Sequence, residues 1–385
     1  MIYLDCNATT PLDPRVLETM LPFFRERFGN AASRHHRLGS DASAAVESAR
    51  EQVAAVIGAD PREITWTSGA TESDNLALKG VAAAPAYAKK GNHIVTVATE
   101  HRAVLDPCEH LEGKGFKVTT LGVDRHGELD LKRLADALTD GTILVSVMHA
   151  NNETGLLHPL REIGALCKKK GVLFHTDATQ SFGKEPIDVN DMGIDLLSAS
   201  AHKFSGPKGV GLLYVRRRDP RVRCEPLLHG GGHERGLRSG TLNVPSIVGM
   251  GAAAELCRLE GHAERDRIRK LRDLLEKKIL SGLDGVELNG HRERRLANTS
   301  NLSFAGVDGE ALMKRLPEVA VSSSSACTSA LLQPSYVLGA LGCDEERIRG
   351  SIRFSLGRFT TGEEIGAAAA QVVDEVKSLR KASRR

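Results

Sequence analysis

The sequence predicts an α/β fold: a mostly parallel, buried sheet of seven strands, followed by a smaller α+β region. Three observations carry this. Helical and strand patterns alternate through residues 41–215. The strand runs there are separated by helices, as in a mostly parallel, buried sheet. After about residue 260 the texture changes to a charged helix followed by short strands and helices.

The first helix falls at 41–57, with Ala45, Ala49, Val53 and Val56 near one face. Ile64–Thr67 reads as a short strand running into Ser68-Gly69, with a helix at 72–83. Strand His93–Val97, helix 102–114 and strand Lys117–Leu121 follow. Thr142–Met148 is a β-rich apolar run, 159–170 an amphipathic helix, and Val172–His175 a strand. Asp195–Ser198 and Gly211–Val215 complete the series. Beyond 260, ERDRIRKLRDLLEKKIL is a long amphipathic helix. Strands at VELNG and SNLSFAG, a helix at 309–316, a Ser-rich loop at 322–329, a helix at 334–341, a strand at 351–356 and a final helix from 361 follow.

Composition narrows the function. The 385 residues leave room for one large domain or two, and 41% apolar content can build a real core. A formal charge of +3 gives no bulk argument for nucleic acid or membrane binding. The basic end, KSLRKASRR, reads as a solvated terminus rather than a nucleic-acid arm. The opening residues lack a secretory signal, and no apolar run approaches the ~20 residues that span a bilayer. A cytoplasmic protein is expected. The seven cysteines are widely spaced and include no C-x-x-C, which argues against a disulfide framework or structural zinc.

Chemistry concentrates at strand ends. Lys203, in SASAHK, follows a strand, where open α/β sheets bind ligands. A partly desolvated lysine there can form a Schiff base. Asp177 follows the run VLFHT, where a carboxylate could face a pyridinium nitrogen. Ser68–Ser73 is a strand-to-helix turn of small residues, suited to a phosphate. His101 follows another strand and could stack on a ring and move protons. Cys327 lies in a small polar stretch, SSSACTS, unlike the apolar setting of a structural cysteine. His229–Gly232 looks like an esterase oxyanion loop but has no G-x-S-x-G partner. Gly206–Gly211 fits neither the Rossmann nor the P-loop pattern.

Together these segments resemble fold-type I pyridoxal-phosphate (PLP) enzymes of the class V aminotransferase group, and within it the cysteine desulfurases of the NifS/IscS type. The resemblance runs through YLDCNATTP at 3–11, TSGATESDN at 67–75, TEHRAVLD at 99–106 and HANNETG at 149–155. It continues through DATQSFGK at 177–184, SAHKFSGPKGVG at 200–211, HGGGHERGLRSGT at 229–241, SSSSACTSALLQPSYV at 322–337 and SIRFSLGRFTT at 351–361.

The resemblance implies a large PLP-binding domain at 16–260 and a small domain of 1–15 and 261–385, which carries a mobile loop at 322–332. It implies that Lys203 holds PLP as a Schiff base, Asp177 faces the ring nitrogen and Gln180 the ring hydroxyl. Asn152 is then near the ring oxygen and substrate carboxylate, and His101 stacks on the ring. Ala70, Thr71, Ser200 and His202 would bind the phosphate, and Thr241 would reach the phosphate of a neighbouring subunit in a homodimer with shared sites. Arg353 would clamp the carboxylate of L-cysteine. Cys327 would take the sulfur as a persulfide, leaving L-alanine, and pass it to an acceptor protein such as an iron–sulfur scaffold. Cys327 is also a candidate transient iron–sulfur ligand during transfer. Selenocysteine lysis and transamination are the alternative reactions on this scaffold.

Overall fold

Seven short runs rich in β-branched residues and leucine form the central sheet of the computed structural model, which describes residues 1–323 and 334–382. Side by side they are Ile64–Thr67, Gly211–Val215, Leu196–Ser200, Leu173–Asp177, Thr142–Ser146, His93–Val97 and Lys117–Leu121. The last five are mutually parallel, and Gly211–Val215 runs antiparallel to both its neighbours. The expected mostly parallel, seven-stranded sheet is therefore present.

Successive residues of a strand point to opposite faces, and both faces are covered. Val95, Val145, Phe174, Leu197 and Leu212 pack into one apolar cluster. Ile94, Leu144, Leu173, Leu196 and Leu213 pack into another on the opposite face. This double burial explains the absence of polar alternation in the inner strands. Only the edge strand Lys117–Leu121 is largely outside the core.

The helix expected at 41–57 spans Arg37–Val56, but its buried face differs from the expected one. Ala42, Val46, Ala49 and Val53 are buried, whereas Ala45 and Val56 only flank the core. Alanine-rich helices present several near-equivalent faces, and the surface this one packs on, chiefly the helix Val244–Gly282, selects among them.

The change of texture near 260 falls inside one continuous helix, Val244–Gly282, of 39 residues. Its first half, with Ile247, Met250 and Ala254, packs on the large sheet. Its second half, with Ile268, Leu275 and Ile279, joins a separate core. That core covers a four-stranded antiparallel sheet in the order Ser322–Ser323, Ser351–Ser355, Thr299–Phe304 and Val286–Leu288. The amino terminus belongs to it too: Ile2–Tyr3 pairs in parallel with Val319–Ala320, and Leu4 is fully buried there. Among the described residues no helix is long and apolar enough to cross a membrane.

Candidate active site at the strand ends

The carboxyl ends of the parallel strands converge on one cavity of ≈ 640 Å³. Open α/β sheets bind their ligands at this edge. The strand ending at Thr67 delivers Ser68–Thr71, and the one ending at Val97 leads to His101. Ser146 leads to Met148 and Asn152, Asp177 is itself a strand end, and Ser200 leads through a single 3-10 turn to Lys203. Arg353 enters from the small antiparallel sheet. Ala70, Thr71, His101, Asn152, Asp177, Gln180, Ser200, His202, Lys203 and Arg353 all line this one cavity. Thr241 is exposed and does not line it. Cys327 lies outside the described residues.

The Lys203 ammonium is held by two backbone carbonyls: Nζ donates to Asn7 O at 2.6 Å and Ala8 O at 2.8 Å. Gln180 Nε2 donates to the same Asn7 carbonyl at 2.9 Å. The Asp177 carboxylate accepts from the Thr179 N–H at 2.8 Å, which fixes its rotamer. Arg353 Nη1 donates to Asn152 O at 2.9 Å, and Nη2 pairs with Asp5 Oδ1 at 2.8 Å. Four buried polar atoms of this wall have no hydrogen-bond partner: Asn152 Oδ1, Thr179 Oγ1, Gln180 Oε1 and Arg353 Nε. Buried groups are normally paired, so unpartnered atoms around one cavity mark where a polar ligand fits.

His101 caps the helix Arg102–Glu112, its Nδ1 accepting from the Ala103 N–H at 3.1 Å. In the neutral ring the hydrogen then sits on Nε2. Burial holds this imidazole below its usual pKa, the Asp177 charge opposes that, and Lys203 adds to it. Beneath the floor, Glu100 and Asp74 are wholly buried. Burial, reinforced by the Asp177 charge, raises both carboxyls well above the ordinary range.

The described cysteines offer no ready nucleophile. Burial pushes the thiols of Cys6, Cys108, Cys167 and Cys224 up to about 12, and that of Cys257 to about 11. Among the described residues no group of three or more His, Cys, Asp or Glu side chains is placed to hold a metal ion.

Sequence reasoning assigned no role to Asp5, Asn7, Ala8, Glu72 or Lys208, although all but Asp5 line the cavity. The first three belong to the opening segment, about 200 to 350 positions from Lys203 and Arg353, so no local pattern pairs them.

Fold and site define a class: an open α/β sheet whose edge presents a lysine, a carboxylate and an arginine to one polar cavity. The aminotransferase class-V family model matches residues 2–367. A cysteine desulfurase IscS from Anaeromyxobacter sp. (strain Fw109-5) is 59% identical over 382 residues, covering 99% of this chain and 94% of that protein. A solved NifS-like protein superposes with a TM-score of 0.90 at 40% identity, covering 98% of this chain and 99% of that one. A structure described as SspA in complex with cysteine is similar at a TM-score of 0.81 and 36% identity, over 94% of this chain and all (100%) of the other. The chain belongs to the aminotransferase class-V family, among the cysteine desulfurases of the NifS/IscS type.

Proposed function

We propose that the protein is a PLP-dependent cysteine desulfurase that removes sulfur from L-cysteine, releases L-alanine and carries the sulfur as a persulfide on Cys327. The observation that carries this reading is the single cavity holding Lys203, Asp177, Gln180, His101 and Arg353, in a chain with cysteine desulfurase relatives along nearly its full length.

The unpartnered buried atoms suit PLP. Gln180 Oε1 and Asn152 Oδ1 can accept from ring-oxygen or substrate donors, and Arg353 Nε can donate to a carboxylate. Lys203 would hold the cofactor covalently, Asp177 would sit at its ring nitrogen, and Ala70, Thr71, Ser200 and His202 at its phosphate. When bound, PLP supplies a carbonyl for the substrate amine and an electron sink for the Cα carbanion.

The chain does the rest. Arg353 and Asn152 orient the substrate carboxylate. Once released from the cofactor, Lys203 Nζ moves the Cα proton. Asp177 would stand against the ring nitrogen and keep it protonated. His101 exchanges protons at Nε2, because its Nδ1 lone pair is committed to the helix cap. The Cys327 thiolate attacks the substrate sulfur, the Cβ–S bond breaks towards carbon, and the carbon product takes up a proton to become L-alanine.

A homodimer completed by Thr241 fits the exposure of that residue. Six free thiols among the described cysteines fit a reducing, cytoplasmic setting. The acceptor would be a sulfur-receiving protein, such as an iron–sulfur scaffold. The domain division at 260 would put the active site at the junction of the two cores.

Single-turnover product analysis with L-cysteine and no added reductant tests the reading. Wild type should release alanine and gain one sulfur on the Cys327 peptide, and Cys327→Ser should do neither. Pyruvate or an amino-transfer product from wild type would overturn it.

A further inference from the structure

Glu72 is out of place electrostatically. It stands in the first turn of the helix Ala70–Ala83 and lines the cavity beside Ala70 and Thr71. A carboxylate there suits the helix dipole but opposes an anionic phosphate. The chain deals with it in two ways. The Ser68 N–H donates to Glu72 Oε2 at 2.8 Å. Arg238, more than 160 residues away in sequence, closes on it with Nε–Oε1 at 2.9 Å and a longer Nη2–Oε2 contact of 3.5 Å. Both side chains are mostly enclosed, at 20% and 15% exposure, so water screens the pair only weakly. Burial opposes ionisation of Glu72, yet Arg238 and Ser68 outweigh it and hold the carboxyl below its usual range. Arg238 is the cation paired with this carboxylate.

We propose that Arg238 is a positioning residue for cofactor binding: by pairing with Glu72 it neutralises and turns aside a carboxylate that would otherwise repel the cofactor phosphate. The inference rests on the reading of Ser68–Thr71 as the phosphate end of the pocket. Removing Arg238 leaves an unpaired anion beside a dianion. Removing both partners leaves neither, so the double variant should recover what the single variant loses.

The test is the dissociation constant of the full-length protein for PLP and for pyridoxal, which lacks the phosphate, read by cofactor fluorescence. Arg238→Met should bind PLP about tenfold more weakly and leave pyridoxal within about twofold of wild type. Adding Glu72→Gln to Arg238→Met should restore PLP binding to within about threefold of wild type. Arg238→Lys should fall between, since an ammonium keeps the charge but loses the fork. A double variant that binds PLP no better than Arg238→Met would overturn the proposal and assign Arg238 to the fold of its own segment. Equal weakening of PLP and pyridoxal would instead sink the placement of the phosphate at Ser68–Thr71. A wild type that binds neither would overturn the cofactor reading itself.

Discussion

His175 Nε2 lies 3.5 Å from Asp74 Oδ1, with both side chains fully buried. Burial lowers the imidazole to about 3. Burial first, then the Asp177 charge, raises the Asp74 carboxyl well above its usual range. Both shifts favour the uncharged forms. The ring is also threaded between strands, with Nδ1 at 2.8 Å from Ser146 Oγ and Nε2 at 3.0 Å from Ser198 Oγ. This polar ladder crosses three central strands beneath Asp177.

The upward shift of Asp74 favours its acid form, which an amide resembles in shape and polarity. Asp74→Asn should therefore cost under ~1 kcal/mol in urea unfolding. A loss of about 3–5 kcal/mol would show that an ion pair had been broken.

Glu153 should give stability a pH dependence of its own. Burial raises its carboxyl to about 7, against the Ser335 hydrogen bond and the Arg353 charge. In the unfolded chain a glutamate titrates near ~4.3. Between these values the native state binds a proton that the unfolded state does not, so this contribution is lost as pH rises through the window. The stability difference between wild type and Glu153→Gln should shrink by about 2 kcal/mol between pH ~5 and ~7. Urea midpoints at the two pH values check it.

The buried imidazoles act with the opposite sign. His149 and His158 are held to about 4 by burial, and His175 to about 3. Unfolded histidines gain protons below ~6.5, so the unfolded state binds more protons and this contribution is lost as pH falls. His158→Gln should make the protein less sensitive to acid, by about 2 kcal/mol relative to wild type between pH ~7 and ~5. Parallel urea curves would contradict that.

Arg353 is held by Asp5 and Asn152 O with its Nε unpartnered, which leaves a ready donor for a substrate carboxylate. Arg353→Ala should raise the KM for L-cysteine about 10- to 100-fold, the worth of a charged hydrogen bond. Arg353→Lys should recover only part of this, for want of a planar fork. Alanine formation against cysteine concentration measures both.

Glu234 sits in a left-handed backbone conformation (φ 48°) and takes both terminal nitrogens of buried Arg50, at 2.8 and 3.0 Å, with the Trp66 N–H at 2.9 Å. Glu234→Ala should destabilise the protein by about 3–5 kcal/mol, since it removes the buried carboxylate of the pair and leaves the buried guanidinium only the half-exposed Glu47. Guanidinium unfolding measures this, and a loss below ~1 kcal/mol would show that water replaces the carboxylate.

Much of the site was legible because its residues stand directly at strand ends. Asp177 and Lys203 are each announced by an apolar β run. The partners that hold them were not legible. Asn7 meets Lys203 across 196 positions, and Asp5 meets Arg353 across 348. Arg238 was not legible as a partner of Glu72 either, for the same reason. The helix Arg37–Val56 shows a further limit: its small residues fit several faces, and only the surface it packs on selects Ala42 and Val46.

By itself the sequence determined the α/β pattern, the doubly covered strands and the reactive side chains at their ends, because hydrophobic periodicity and strand-end chemistry are local. Only the tertiary structure decided which charges face each other and which are suppressed. It pairs Arg353 with Asp5 and Arg238 with Glu72, and it shifts Asp74, Glu100 and His175 towards their neutral forms. The physical reason is that ionisation depends on burial and on the nearest charge, and both are set by chain segments that meet only when folded.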